Sequence, residues 1–415
     1  MAVLSRRRAV AAALSTVSLS TALFLAGPGA AAPARADDVR VGQQPVIRTL
    51  QLTQAWRITR GSGVTVAVLD SGVDPRHRDL AGSVRVGRDF TVGANPLGTR
   101  PRRLHGTYMA SLIAGHGHGR QGKQGIIGVA PEADVLSVRV ILEDEEPGFR
   151  EFNSAERFED VVARGIRYAV DEGADVINMS ISKELATREE RAAIRYAIAK
   201  GVVLVAAAGN DGDRKFPGDY APYSYPAAFP GVVSVGATDR RLRRAAFSNS
   251  NSSVLVAAPG VDIMGAGPGG AYWVGRGTSQ ATALVSGVVA LIKAKFPQMS
   301  PPLVVRALAA GAVDRPPGGY DTGTGFGVVN APRALAEAGK LARHTEAATG
   351  AQVQNPAVPA VGGRTGSIKV ITRDERLVTV SAAVAAAGAA GAIGSLAVIF
   401  ILVRRVRREP DARDA

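Results

Sequence analysis

Three residues that lie far apart in the chain have side chains that together could activate an alcohol for attack on a carbonyl carbon. Ser279 opens an apolar stretch with helical spacing, where free backbone N–H groups and the helix dipole can stabilise an anion. Asp70 ends a run of apolar, β-branched residues, and His105 precedes a second apolar helical stretch. In such a relay the serine attacks, the imidazole takes its proton and the carboxylate orients the imidazole. Serine is also a common helix N-cap, so Ser279 alone leaves the choice open.

Alternating strands and helices must position these residues. Short apolar runs predict strands over 64–70, 135–140, 175–179, 202–207, 232–235 and 254–257. Longer amphipathic runs predict helices over 154–171, 187–200 and 279–295. This alternation is typical of a three-layer α/β fold, in which a mainly parallel central sheet has helices on both faces. Sites in such folds lie at the carboxyl ends of the strands, which is where Asp70 falls.

The motifs around these residues resemble those of the subtilisin-like serine peptidases. Asp70-Ser-Gly, His105-Gly-Thr and Gly-Thr-Ser279-Gln-Ala stand in the family's order, within roughly residues 54–337. A fourth match is the run Ala-Ala-Ala-Gly-Asn210. The resemblance implies that Ser279 is the nucleophile, His105 the general base and then acid, and Asp70 the orienting carboxylate. It also implies that Asn210 donates its side-chain amide to the oxyanion, beside the backbone N–H of Ser279.

The resemblance further implies a substrate-binding surface. Ser180, Ile181 and Ser182 correspond to an edge strand to which an extended peptide adds by main-chain hydrogen bonds. The family's two glycines are absent there, because Ser182 and Lys183 take their places. Ala207 and Gly209 correspond to the floor of the primary specificity pocket, whose small residues favour a sizeable apolar side chain. Three further residues near the site differ from the family pattern: Met109, Ser111 and Ala283.

An acidic run at 143–146 follows the predicted strand 135–140. Such a run is usually a solvated loop. The resemblance places it near a wall of the substrate cleft, so a second interpretation is that it favours basic substrate side chains upstream of the cut.

Composition limits the kinds of site that the chain can hold. It has no cysteine, which excludes disulfides, a thiolate nucleophile and thiolate metal ligands. The net charge is +14, but no basic stripe interleaved with aromatics appears, so we expect no nucleic-acid partner. His77, His116 and His118 are interpreted as loop histidines rather than zinc ligands, because carboxylates at a fixed spacing are missing. The chemistry requires no cofactor, and the sequence locates no structural calcium site.

The two ends of the chain predict export and membrane anchoring. A basic start, an apolar stretch and a small-x-small site predict a secretory leader, by the general or the twin-arginine route. An uncharged stretch followed by four arginines predicts one C-terminal transmembrane helix with a cytoplasmic tail; a buried alanine-rich helix is the alternative. The predicted segments are a signal peptide (1–36), a lead-in (37–60), the peptidase domain (61–340), a flexible linker (341–376), the membrane span (377–403) and the tail (404–415).

These features predict a single-pass cell-membrane serine endopeptidase whose catalytic domain is extracytoplasmic and acts on proteins or peptides. The organisation also resembles the mycosin peptidases of actinobacterial type VII secretion, which implies a secretion complex as partner, although mycosins usually carry cysteines. One alternative is a catalytically silent, membrane-anchored peptide-binding module of the same fold, which predicts a broken triad. Another is a lipase or esterase, which would place the serine first in the chain, in a Gly-x-Ser-x-Gly elbow.

Overall fold

The computed structural model describes residues 36–214, 222–350, 395 and 398–401. The chain divides into two compact units, Met1–Ala351 and Gln352–Ala415. The predicted signal peptide therefore lies outside the described residues except for its last residue, and so do the predicted tail and most of the predicted linker and span.

The first unit is built from alternating strands and helices. The described strands are β1 (Thr65–Asp70), β2 (Val84–Asp89), β3 (His116–His118), β4 (Gln124–Ile127), β5 (Asp134–Arg139), β6 (Val176–Met179), β7 (Val203–Ala207), β8 (Val233–Thr238), β9 (Val256–Pro259), β10 (Ile263–Gly267) and β11 (Ala271–Gly275). The described α-helices are α1 (Ala36–Thr49), α2 (Leu52–Ala55), α3 (Leu104–Ala114), α4 (Phe149–Ser154), α5 (Val161–Asp171), α6 (Arg188–Ala199), α7 (Thr278–Lys295), α8 (Pro301–Gly311) and α9 (Ala331–Gly350).

A seven-stranded parallel sheet forms the centre of this unit, in the order β2-β5-β1-β6-β7-β8-β9. Both faces of the sheet are buried because successive strand residues alternate between two apolar clusters: Val66 and Val68 belong to one, Ala67 and Leu69 to the other. Helices α3 and α7 contribute to the first cluster, and α5 and α6 to the second. The predicted three-layer fold with a parallel central sheet is confirmed.

Two predicted helices differ in outcome. The helix predicted over 154–171 is instead α4 and α5, and the rings of Phe152 and Phe158 pack 4.9 Å apart at the break. The helix predicted over 187–200 is α6, which begins with a capping box: Thr187 Oγ1 accepts from Glu190 N at 3.1 Å. Helix α9 continues into the stretch predicted as a linker, since its alanines and charged residues favour helix.

The lead-in forms helices α1 and α2, which brace the body of the unit. Gln43 exchanges two hydrogen bonds with the backbone of Ile127, at 3.0 and 2.9 Å. Arg40 Nε donates to the carbonyl of Gly125 at 3.0 Å. Trp56 Nε1 donates to the carbonyl of Val129 at 2.8 Å, so the lead-in is held to the body along its length.

Among the residues that the structure describes, no helix has both the length and the apolar character needed to span a bilayer. The span predicted over 377–403 lies outside these residues, apart from 395 and 398–401, which are helical.

Candidate active site

Asp70 and His105 meet at the carboxyl edge of the sheet. Asp70 is the last residue of β1 and is fully buried. His105 stands in the first turn of α3, and its Nδ1 lies 2.9 Å from each carboxylate oxygen of Asp70. Because a carboxylate only accepts, this contact makes Nδ1 the protonated nitrogen and leaves Nε2 as the basic one.

The surroundings of His105 favour its protonated form. Burial acts to lower its pKa, but the charge and hydrogen bond of Asp70, and then the charge of Glu143, outweigh burial and raise the pKa above its usual value. The His105 side chain remains one quarter exposed, so its free edge is accessible from the cleft. A base of this kind accepts a proton readily while its ring orientation is fixed.

Ser279 stands in the first turn of α7, the helix that packs against α3. Its Oγ donates to the carbonyl of Ser180 at 3.1 Å, and Ser180 Oγ donates to the carbonyl of Ser279 at 3.0 Å. Within the described part of the chain, no hydrogen bond joins Ser279 to His105. Such catalytic bonds are often long or misaligned in unliganded enzymes and tighten when substrate binds. The structure therefore pairs Asp70 with His105 directly and holds Ser279 on a neighbouring helix.

Asn210 is hydrogen-bonded to the first residue of α7, the helix that carries Ser279. It follows β7, and its Oδ1 accepts from Thr278 N at 2.8 Å and from Thr278 Oγ1 at 2.9 Å. Its Nδ2 has no partner among the described residues and is free to donate beside Ser279. An amide donor fixed next to a serine hydroxyl is suited to stabilise an oxyanion that forms there.

Residues 180–182 lie beside Ser279, but they do not form the predicted edge strand. Strand β6 ends at Met179 and is an interior strand between β1 and β7, so the chain leaves the sheet beyond its end. There Ile181 is buried, while Ser180 and Ser182 each bond another serine. Beyond them, Lys183 forms an isolated antiparallel bridge with Tyr225, with which it exchanges two backbone hydrogen bonds, at 3.0 and 2.8 Å.

Both residues of the predicted pocket floor, Ala207 and Gly209, are buried. Ala207 is buried within β7, so its side chain belongs to the core. Gly209 has a left-handed φ of 106°, and a Cβ there would lie 2.3 Å from Asn249 Nδ2. A small depression next to Ser182, with room for little more than a water molecule, is lined by Ser182, Lys183, Glu184, Asp211, Pro222, Tyr223, Ser224 and Asn249.

The acidic run at 143–146 is not simply a solvated loop. Glu143 and Glu146 are buried, whereas Asp144 and Glu145 are exposed. Glu146 Oε2 accepts from Arg139 at 2.6 Å, and Glu143 contacts the residues around His105. The sequence did not reveal these buried carboxylates, because their partners are distant in the chain.

Of the three histidines interpreted as loop residues, His77 lies in a loop, whereas His116 and His118 are the two end residues of strand β3. His77 Nδ1 accepts from Asp79 N at 3.2 Å. His118 Nδ1 lies 2.5 Å from Asp79 Oδ1, and His116 bonds the carbonyl of Ala81 through Nε2 at 3.2 Å. In the described ranges, no group of three or more His, Asp or Glu side chains is arranged to hold a metal ion.

Comparisons with known proteins agree with this geometry. Residues 61–327 match the model of the Subtilase family, Peptidase_S8. Thermitase from Thermoactinomyces vulgaris is 37% identical over 288 residues, which cover 69% of this chain and 93% of thermitase. An intracellular serine protease from Paenibacillus polymyxa is 37% identical over 249 residues, or 60% of this chain and 72% of that protein.

Solved structures of mycosins are also similar. The serine protease MycP1, described as an essential component of the type VII (ESX-1) secretion system, superposes with a TM-score of 0.61 at 31% identity, covering 74% of this chain and 92% of MycP1. The MycP3 protease of the ESX-3 system gives a TM-score of 0.57 at 31% identity, covering 70% of this chain and 88% of MycP3. The resemblance to subtilisin-like peptidases and the similarity to mycosins are both confirmed. The chain belongs to the subtilase family of serine endopeptidases.

Proposed function

We propose that this endopeptidase cleaves peptide bonds through Asp70, His105 and Ser279, with an acyl-enzyme intermediate. The observation that carries the proposal is the 2.9 Å contact of His105 Nδ1 with both Asp70 oxygens, which leaves Nε2 as the base. Nε2 takes the Ser279 proton as Oγ attacks the scissile carbonyl, and it returns that proton to the leaving amine. Water then adds to the acyl carbon by the same route and releases Ser279.

The oxyanion formed in each step needs donors next to Ser279. We assign this role to Asn210 Nδ2 and to the backbone N–H of Ser279, because Asn210 is held by Thr278 at the start of the same helix. Before attack, Ser279 Oγ must leave the carbonyl of Ser180. That carbonyl then becomes an acceptor for a backbone N–H of the substrate, which would align the peptide by main-chain bonding.

We further propose that the enzyme works outside the cytoplasm, anchored in the bilayer by one helix over 377–403. The basic and apolar leader at 1–36 and the uncharged stretch before Arg404 support this proposal. Val398, Ile399, Phe400 and Ile401 are each more than half exposed, as expected for side chains that face lipid. MycP1 is a component of a type VII secretion system, so a secretion complex is the proposed partner, and proteins that reach it are the proposed substrates.

The test is to express the full chain and its Ser279→Ala variant in membranes and treat both with a fluorophosphonate probe and a peptide library. Labelling and cleavage confined to the unaltered protein are expected. Equal labelling of both proteins would refute the assignment of Ser279. Peptide binding without labelling would indicate a silent binding module. A protease-protection assay that locates the domain on the cytoplasmic side of the membrane would refute the topology.

A further inference from the structure

Glu143 lies beside the proposed catalytic pair and is 5% exposed. Its Oε1 accepts two hydrogen bonds, from Ser71 Oγ at 2.6 Å and from the backbone N–H of His105 at 2.8 Å. The His105 N–H is one of the unpaired donors in the first turn of α3, whose N-cap Arg103 provides no side-chain cap. Glu143 thus performs the capping that the helix itself lacks, and it does so at the residue that carries the imidazole.

These contacts are part of a hydrogen-bond network that also includes Asp70. Ser71 N donates to Asp70 Oδ1 at 2.7 Å, and Gly106 N donates to Ser71 Oγ at 3.1 Å. Ser71 therefore connects the two carboxylates, one on the side-chain nitrogen of His105 and the other on its backbone nitrogen. The position of the imidazole relative to Asp70 depends on both.

The side-chain hydrogen bonds of Glu143 are compatible with an ionised carboxylate, since its Oε1 accepts both of them. Two donors point at one oxygen, and an ionised carboxylate is an acceptor at both oxygens. Burial raises the pKa of Glu143 above its usual value and the charge of Asp70 adds to this rise; the bonds from Ser71 and His105 and the charge of His105 act to lower the pKa but do not outweigh burial. When the imidazole is protonated, its positive charge therefore lies close to two buried carboxylates rather than one.

The other charged groups around Glu143 compensate its negative charge only in part. Arg102 Nε, ahead of α3, lies 3.8 Å from Oε2 and equally far from exposed Glu145. Arg102 is itself nearly half exposed, which weakens its effect through solvent screening. On the loop side, Glu146 Oε1 accepts from Glu143 N at 3.3 Å, and its charge is paired with Arg139.

We propose that Glu143 is a positioning residue with two effects. It fixes the start of α3, the helix that carries His105, and it adds a second negative charge that stabilises the His105 imidazolium. This charge thereby sets the lower pH limit of catalysis. This inference rests on the proposed triad. It distinguishes Glu143 from a purely structural cap, because a cap needs only an acceptor, whereas the stabilisation of a cation needs charge.

The variant Glu143→Gln separates these two roles, since its amide oxygen still accepts from Ser71 and His105 but carries no charge. The acid limb of the kcat/KM profile of the full-length enzyme should move to lower pH by about 0.5 unit, and the plateau should fall about threefold. Glu145→Gln is the matched control, because it removes an exposed charge beside the same arginine; its profile should coincide with that of the unaltered enzyme. Coincident profiles for Glu143→Gln and Glu145→Gln would overturn the proposal.

A second measurement does not depend on turnover. In Ser279→Ala, the proton NMR signal of Nδ1–H titrates with the imidazole, and adding Glu143→Gln should lower its midpoint by a similar amount. If Glu143→Gln does not fold, Glu143→Asp replaces it: the shorter side chain keeps the charge but draws it back from the backbone N–H of His105, so the midpoint should fall by less than in a charge-free variant, and an unchanged midpoint would contradict the proposal. Failure of the triad itself would appear separately, as fluorophosphonate labelling that persists in Ser279→Ala.

Discussion

Nδ1 of His105 lies 2.9 Å from both carboxylate oxygens of Asp70, and no part of the Asp70 side chain is exposed to solvent. If the ring turned, the buried carboxylate would keep the bond from Ser71 N to Oδ1 but lose its partner at Oδ2, which is costly for a buried charge. This one contact fixes both the tautomer and the direction of the imidazole.

Replacing Asp70 by asparagine should lower kcat by about 10⁴-fold while KM changes little. The asparagine amide can donate to Nδ1, which stabilises the tautomer whose Nε2 carries the proton and so cannot act as base. Steady-state kinetics with a peptide substrate measure the loss, and Ser279→Ala supplies the background rate. An Asp70→Asn enzyme that retains a tenth of the activity would contradict the assigned role of the carboxylate.

The same pair makes stability depend on pH. The pKa of His105 is raised in the folded state, chiefly because the charge and hydrogen bond of Asp70 outweigh burial. The protonated His105 therefore contributes its full share to the stability of the fold below the pKa that it has in the unfolded chain. This share is lost as the pH rises through the higher pKa of His105 in the folded protein. In a Ser279→Ala background, Asp70→Asn should lower the free energy of unfolding by about 1 kcal/mol more at pH 5 than at pH 9. Equal losses in urea unfolding at the two pH values would be inconsistent with an ion pair.

Two variants of Asn210 test whether its Nδ2, rather than its bonds to Thr278, supports catalysis. Asn210→Asp keeps an oxygen that can accept from Thr278 but removes the Nδ2 donor, and Asn210→Ala removes both. Loss of an oxyanion donor should lower kcat by about 10²- to 10³-fold in both variants, with fluorophosphonate labelling slowed in parallel. Full activity in Asn210→Asp would assign the oxyanion to other donors.

Features set by neighbouring residues were predictable from the sequence, and those set by distant partners were not. A short apolar run predicts the strand before Asp70, and glycines predict the turns before Ser279. The fold class and the candidate triad could therefore be predicted from these runs. Gln43 gives no such signal, because its partner Ile127 lies 84 positions away. Glu143 likewise belongs to a charged run, and only the folded chain brings Ser71 to it.

Glu146 provides a test of the buried part of the acidic run. Its carboxylate is 1% exposed and pairs with Arg139 at 2.6 Å, while Arg139 also reaches Asp89 at 3.1 Å. Glu146→Gln leaves a buried guanidinium only partly compensated, and should reduce the free energy of unfolding by about 3 kcal/mol. Urea unfolding of Ser279→Ala proteins measures this loss, with Glu145→Gln expected to stay within about 0.5 kcal/mol of the parent. Equal effects at 145 and 146 would show that burial does not distinguish them.

Alanine substitutions at Gly209 and Gly201 distinguish backbone strain from steric conflict. Gly209 precedes Asn210, the proposed oxyanion donor. The φ of 106° at Gly209 disfavours any residue with a Cβ, and a Cβ at this position would lie 2.3 Å from Asn249 Nδ2. Gly201 is the matched control, because its φ is 82° but a Cβ there would meet no atom within 4 Å.

Gly201→Ala should therefore cost only the backbone strain of about 1 kcal/mol and leave kcat unchanged. Gly209→Ala should cost more, by about 1 to 3 kcal/mol, because Asn249 must move. Since Asn249 also accepts from Asp211 N at 2.7 Å, that movement should displace Asn210 and lower kcat at least tenfold at saturating substrate. Thermal unfolding and kinetics on the two alanine variants measure these effects. If Gly209→Ala loses stability but keeps its full kcat, the 209–211 turn does not position the amide of Asn210.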